Sequence, residues 1–415
     1  MTRSNAASGT ARTRSHAESP FRRLWAASTV SAFGDGLSLV ALPWLALRQF
    51  GAGVGTLSVI SALAWFPVVL LSIPAGAWSD RSGRPVLVMA AADAARCLIG
   101  LLTPVLIVAG AFTVHWLWAT AFLGAAASVF FSVNSAPLLT ALLSRERFAA
   151  GQSLVYGSAR TALVLGSVTG GLLLGVVPPA ALIGGDAVTF LVSALLLRGI
   201  APARQAKARS ATRTRIRAGL VFLARTPELR VALGVTTVRN LFLMAFHTVF
   251  IVYLARSLSL SSVETGIILA ADAGGALASM FLAQPISNRF RPHITLPVAC
   301  VLAGLPLAAT VLAVDGSPGS IVGLAACVLI SGFGAALVDL GVGTTFARAT
   351  PPQLRAGVRG AYQTVSYAAL PIGSLTGGAL GSVIDVHTAM GLTGLGTLLT
   401  AALALRFPRT VSDGS

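Results

Sequence analysis

The sequence predicts an all-α membrane protein with twelve transmembrane helices in two six-helix halves. Three observations lead there. First, 55% of the 415 residues are hydrophobic and only 10% are charged, with a mean hydropathy of +0.82. An ordinary soluble domain is about 25% charged, so this chain is composed for a lipid solvent. Second, twelve apolar runs can be counted, each of about 18 residues or more and so long enough to cross hydrocarbon as a helix. Third, the second half repeats the first. GSVTGG at 166–171 returns as GSLTGG at 373–378, an offset of 207, and Asp80-Arg81 returns as Asn288-Arg289, an offset of 208. Two landmarks at half the chain length argue for a duplicated unit.

The runs lie near 24–47, 57–77, 86–108, 115–139, 152–177 and 180–197, then 229–254, 263–283, 294–314, 320–346, 361–383 and 388–405. The halves are therefore 21–198 and 229–407. Residues 1–20 are polar, rich in Ser, Ala and Arg, and lack an apolar core. They read as a disordered tail rather than a signal peptide. A short tail, 408–415, closes the chain. The linker, 199–228, begins as an Ala/Arg/Ser-rich flexible stretch. From about Thr214 its RIRAGLVFLARTPELR phrase has an amphipathic repeat and should lie along the membrane surface.

A net charge of +17 first suggests a nucleic-acid partner. Its distribution points elsewhere. Of the 30 Lys and Arg residues, 25 fall in tails, turns and linker that would share one side of the membrane. Only Arg48 and Arg256 fall on the other side, and Arg96, Arg160 and Arg239 lie inside spans. Positive charge stays cytoplasmic, so both termini and the linker are expected in the cytoplasm of a cell membrane. The basic excess is a topology signal and a contact with anionic membrane lipids, and no nucleic acid is expected. Cys97, Cys300 and Cys327 all lie in spans, with no metal-ligand spacing. Small apolar packing is their expected role, and neither a metal nor a cofactor is implied.

Between the second and third runs lies Gly76-Ala77-Trp78-Ser79-Asp80-Arg81-Ser82-Gly83-Arg84-Pro85. It reads as a tight polar loop at the membrane surface, with Gly83 supplying the turn and Arg81 and Arg84 holding it at an anionic face. The pattern resembles the helix 2–3 loop of the major facilitator superfamily, GxxxDRxGRR. Gly76, Asp80, Arg81, Gly83 and Arg84 match, and Pro85 stands where a second basic residue is usual. SAFGDGLSLVALPWLAL in the first run, the linker phrase and PPQLRAGVRG resemble the macrolide-efflux and enterobactin-exporter branch. The resemblance covers about 21–407. It implies the major facilitator fold, a drug:proton antiport activity, and a gating role for Asp80 against the cytoplasmic end of helix 11. The second copy carries Asn288 in place of that aspartate.

The fifth run holds Gly157, Gly166, Gly170, Gly171 and Gly175. The first three keep the spacing of the superfamily's antiporter motif, GxxxxxxxxGxxxGPxxGG. Gly171 replaces its Pro and Leu174 one of its last glycines, so the motif is partial. Glycines at four-residue spacing, including Gly377 and Gly378 in the second copy, also allow close helix packing.

Ionisable groups inside a span are costly and line a cavity or a pair. Asp35 lies between Gly34 and Gly36, about eleven residues into the first helix and near the bilayer centre. It is the leading candidate for proton coupling, because low dielectric disfavours the charged form of a carboxylate and can bring it near working pH. Asp93 and Asp272 are the further candidates. Asp93 and Arg96 share a helix face and can pair. Arg96, Arg160, Arg239, Asn240 and His247 are candidate cavity residues, and Arg239 could neutralise Asp35. Asp186 is expected at the start of the sixth helix, favouring its dipole, and Asp339 to pair with a loop arginine. Trp25, Trp44, Trp65, Trp116 and Trp118 read as interface anchors or packing.

Three functions compete. A secondary transporter exporting an amphipathic small molecule against protons, as a monomer, leads. An uptake carrier of the same fold for a small metabolite is the alternative. No GxxxxGK[ST] marks an ATP-binding site, and a membrane enzyme is disfavoured, since the chain has no HExxH, no GxSxG and no carboxylate pair at metal-ligand spacing.

Overall fold

The computed structural model describes residues 5–200, 212–289, 292–351 and 354–408, and every regular element among them is helical. In order these are α1 (Asn5–Phe50), α2 (Val54–Ser82), α3 (Pro85–Val108), α4 (Val114–Leu142), α5 (Arg145–Leu173) and α6 (Pro179–Arg198). After α7 (Thr212–Arg225) come α8 (Pro227–Val252) with a π-helical turn, α9 (Ser262–Arg289), α10 (Pro292–Ala309) and α11 (Pro318–Ala349). The chain ends on α12 (Arg355–Val383), α13 (Val386–Thr397) and α14 (Leu399–Ala404). With α13 and α14 taken together and α7 set apart, these are twelve span-length elements. Nine helices among the described residues are long and apolar enough to cross a membrane on those criteria alone. The other three, α5, α9 and α12, have 29, 28 and 29 residues. At 1.5 Å per residue each exceeds about 40 Å, enough to span; glycine and polar residues lower their hydropathy.

Helix ends follow local chemistry. Pro85, Pro179, Pro227 and Pro318 stand in first turns, where the missing N–H costs nothing. Thr113, Ser317 and Asp385 cap α4, α11 and α13 by accepting from backbone N–H groups.

Two expectations change. The helical backbone of α1 begins at Asn5, where an irregular tail through Pro20 is expected; Ala and Arg there are good helix formers. The stretch expected as a loop from Gly76 is helical through Ser82, leaving Gly83 and Arg84 as the turn. Gly83 has φ +61°, a conformation that favours glycine. The tail 408–415 beyond Pro408, and residues 201–211 of the linker, lie outside the described residues.

The fold divides into two compact units, 1–42 with 70–210 and 43–69 with 211–415. The α1–α2 hairpin tip thus falls in the second unit, against the expected boundary at 21–198. Its contacts give the reason. Ser58 and Val54 lie against Gly378 and Gly381 of α12, and Trp65 meets Tyr367 edge-on at 6.1 Å. Arg256 donates to the Gly51 carbonyl.

Each unit carries one copy of the repeat. In the first, a Cβ at Gly166 would lie 2.0 Å from the Phe33 carbonyl oxygen, so α5 rests directly on the α1 backbone. In the second, a Cβ at Gly373 would lie 2.1 Å from the Leu241 oxygen, and α12 rests on α8 in the same way. Leu24, Ala27, Leu197 and Ile200 are core residues of the first unit; Ala232, Val235, Ala404 and Phe407, 207 or 208 positions later, are core residues of the second. The linker helix α7 packs on α12 through Gly219 against Gly357 and Leu223 against Val358 and Ala361. It leaves Leu220 and Val221 exposed.

Candidate functional site

Inside the first unit, α1, α3 and α6 bring three carboxylates to one guanidinium. The Arg96 side chain of α3 is 7% exposed. One terminal nitrogen bonds Asp35 of α1. The other lies 3.6 Å from Asp93 Oδ1, one turn earlier on α3, and donates to Ser31 Oγ at 3.2 Å. The guanidinium sits 3.7 Å from the Phe190 ring centroid of α6, a cation–π contact. Asp93 is fully buried; Ser31 donates to its Oδ1 at 3.5 Å, while Oδ2 has no hydrogen-bond partner among the described residues. Asp186 of α6, also buried, accepts from Ser38 of α1 and from Thr189 Oγ1 at 3.3 Å, within electrostatic reach of Arg96.

Glycines make the meeting possible. A Cβ at Gly34 would lie 2.1 Å from Asp186 Oδ1, and one at Gly36 would lie 2.2 Å from the Leu163 oxygen of α5. Only glycine on both sides of Asp35 lets α1 approach α6 and α5 so closely. On α3, Gly100 admits α6 at Ala187. The Asp35 side chain keeps 38% exposure, so the cluster is wet at one edge and dry at Asp93.

The second copy lacks this cluster. With α3 and α10 both starting on proline 207 residues apart, Asp93 and Arg96 correspond to Cys300 and Ala303. Asp186 corresponds to Thr393 at the same offset, and Asp35 to Leu243 at the 208 offset of α1 and α8. The duplicated scaffold folds with no charge at any of these four places. The charges are therefore not a requirement of the helix packing itself.

The second unit has its own polar groups. Arg239 of α8 donates to Asp339 at 2.6 Å and to the Ala335 carbonyl at 3.0 Å, both on α11. Asp339 thus pairs with a span arginine, where a loop arginine is expected. Asn240 is buried, and its Nδ2 donates to the Ser366 carbonyl of α12 at 2.9 Å. His247 of α8 and Asp272 of α9 lie within electrostatic reach of each other, and the Asp272 backbone lies against Gly332 of α11. In the first unit, Arg160 is exposed on α5.

The remaining candidates are distributed as follows. Gly166 and Gly170 contact α1, and Gly377 contacts α8 at Ala245. Gly171 is buried on α5. A Cβ at Gly157 would meet nothing within 4 Å, so the structure supplies no packing reason for that glycine. Gly76 has only an ordinary contact, Val133 at 3.7 Å, and Arg81 and Arg84 are exposed. The side chains of Asp80 and Asn288 lie outside those the structure describes.

Asp186 is the site residue that sequence reasoning placed elsewhere. It lies seven residues beyond Pro179, the first residue of α6, too deep for a helix-terminus role. The signal was its distance from Pro179, which fixes the helix start. Ser31 and Ser38 carried no signal, because serine is common in any polar helix face.

No curated protein matches the chain in sequence. Among solved structures, the nucleoside transporter NupG superposes with a TM-score of 0.74 at 12% identity, covering 94% of this chain and 100% of that one. A bacterial homologue of the human lysosomal transporter Spinster gives 0.70 at 14% identity, covering 94% and 96%. A bacterial metal transporter gives 0.66 at 18%, covering 94% and 99%. At these identities the likeness is one of fold alone. The sequence profile of the transmembrane secretion effector family matches residues 13–414, and the chain belongs to that family, within the major facilitator superfamily of transporters.

Proposed function

We propose that the chain exports an amphipathic small molecule in exchange for protons by alternating access. It acts as a monomer in the cell membrane, with both termini and the linker in the cytoplasm. One observation carries the coupling: Asp35, Asp93 and Asp186 surround a single cation, Arg96, at positions where the other copy of the repeat is uncharged. Three ionised carboxylates against one guanidinium leave two negative charges within the span, a cost of several kcal/mol. Taking up protons removes that excess, and releasing them restores it. Asp35, at the wet edge, exchanges protons with the cavity; Asp93 and Asp186 hold Arg96 when Asp35 is neutral. The family's description, a secretion effector, supports the outward direction. The 25 basic residues sharing one side support the topology.

The test is transport in proteoliposomes of known orientation under an imposed pH gradient. Asp35→Asn is expected to abolish gradient-driven accumulation while retaining downhill exchange. Full gradient-driven accumulation by Asp35→Asn removes Asp35 from the coupling. Wild-type movement toward the cytoplasmic side down the proton gradient reverses the direction to uptake.

A further inference from the structure

Away from the charge cluster, the first unit carries a groove of about 620 Å³ between α2, α3 and α4. That is within the range of about 300–1,000 Å³ of small-molecule sites. Its walls are apolar: Trp78 on α2, Leu87, Ala91 and Ala95 on α3, and Ala127 and Phe130 on α4. Trp78 stands edge-on to Phe130 at 5.8 Å and builds one wall. The three α3 residues follow one another at four-residue spacing and are all exposed, so a single face of α3 lines the groove and opens it sideways. An exposed apolar face on a membrane-spanning helix meets hydrocarbon, not water.

One end of the groove is charged. Trp78 lies one turn before Arg81 at the end of α2, and Leu87 lies one turn after Arg84 at the start of α3. Both arginines are exposed and have no partner among the described side chains. Across the turn the sequence sets two arginines against one aspartate, Asp80. A long apolar slot ending in a pair of exposed guanidinium groups matches a molecule with an acyl chain and a phosphate head.

We infer that this groove binds an anionic glycerophospholipid from the leaflet at the Arg81–Arg84 end. One acyl chain lies along Ala91 and Ala95, and the phosphate meets Arg81 and Arg84. Trp78 sits at the junction of chain and head, the depth that tryptophan favours at a membrane interface. The inference rests on the membrane-spanning fold alone and needs neither the transported substrate nor the direction of transport.

The experiment uses the full chain in nanodiscs, with Trp25, Trp44, Trp65, Trp116 and Trp118 replaced by phenylalanine so that Trp78 is the single tryptophan left, and Trp78→Phe gives the background. Phosphatidylglycerol or phosphatidylcholine with brominated acyl chains is added at equal low mole fraction, and quenching of Trp78 fluorescence is read. Brominated phosphatidylglycerol is expected to quench at lower mole fraction, by roughly five-fold for each arginine engaged. Arg81→Gln with Arg84→Gln lowers it to the phosphatidylcholine level, and Ala95→Phe, which fills the slot, weakens quenching by both. Equal quenching by the two lipids, or a preference that survives loss of both arginines, overturns the inference. Reversal by millimolar inorganic phosphate also overturns it, assigning the arginines to a soluble anion. If the tryptophan-depleted chain does not fold, native mass spectrometry of the wild type and the double arginine variant reads the same preference as retained lipid.

Discussion

Replacing Arg96 by methionine tests whether the cluster is an electrostatic unit. The guanidinium lies 3.6 Å from Asp93 Oδ1, which at an effective dielectric of about 20 is a gross attraction of roughly 4–5 kcal/mol. The bond to Asp35 adds little, because that side chain is 38% exposed and water screens it. Loss of the cation leaves Asp93 fully buried with neutral hydroxyls, Ser31 at 3.5 Å and Ser193, as its polar neighbours. Breaking a buried pair in this way costs about 3–5 kcal/mol. Arg96→Met is therefore expected to lower the thermal midpoint of the purified protein sharply. Adding Asp93→Asn should recover most of the loss, since the carboxylate closest to the lost cation is then neutral and Asp186 keeps its bonds from Ser38 and Thr189. The measurement is a double-mutant cycle on thermal unfolding, followed by size-exclusion of the detergent-solubilised protein. An Arg96→Met protein as stable as the wild type, or one that Asp93→Asn further destabilises, refutes the reasoning.

Other outcomes follow from the same geometry. Gly166→Ala and Gly373→Ala each place a Cβ about 2 Å from a backbone oxygen and should cost about 1–3 kcal/mol or more. Gly157→Ala meets open space and should be neutral or stabilising by up to about 1 kcal/mol; thermal unfolding of the three variants separates them. Gly83→Val forces a β-branched residue to φ +61° and should cost about 1–2 kcal/mol, whereas Gly83→Asn is tolerated, as expression and melting would show. Asp80→Asn is expected to impair transport with little loss of folded protein, and Asn288→Asp to leave transport intact; flux per folded molecule in vesicles checks both. Single cysteines introduced in 199–228 should label only from the cytoplasmic side of intact cells.

The fold class was written in composition and period. Runs such as 57–77 and 294–314 carry no charged residue, and only a helix satisfies its own backbone in hydrocarbon. The duplicated unit was legible in GSVTGG and GSLTGG because the same α1–α5 and α8–α12 contact needs glycine twice. Gly83 was legible for a related reason, since a positive φ leaves few residue choices. Asp35, Asp93 and Arg96 could be marked as out of place, because any charge in a span is exceptional. Their mutual arrangement could not. Asp35 is 61 residues from Arg96, and Asp186 is 90 residues further on. Whether α1, α3 and α6 converge depends on which helix each small residue admits, and Gly34, Gly36 and Gly100 decide that only once three helices are packed. The same holds for Arg239, whose pairing with Asp339 follows from the approach of α8 to α11. Sequence therefore fixes what each segment must be, through solvent and local backbone geometry. Tertiary structure decides which charges become neighbours, because that depends on distances between helices far apart in the chain.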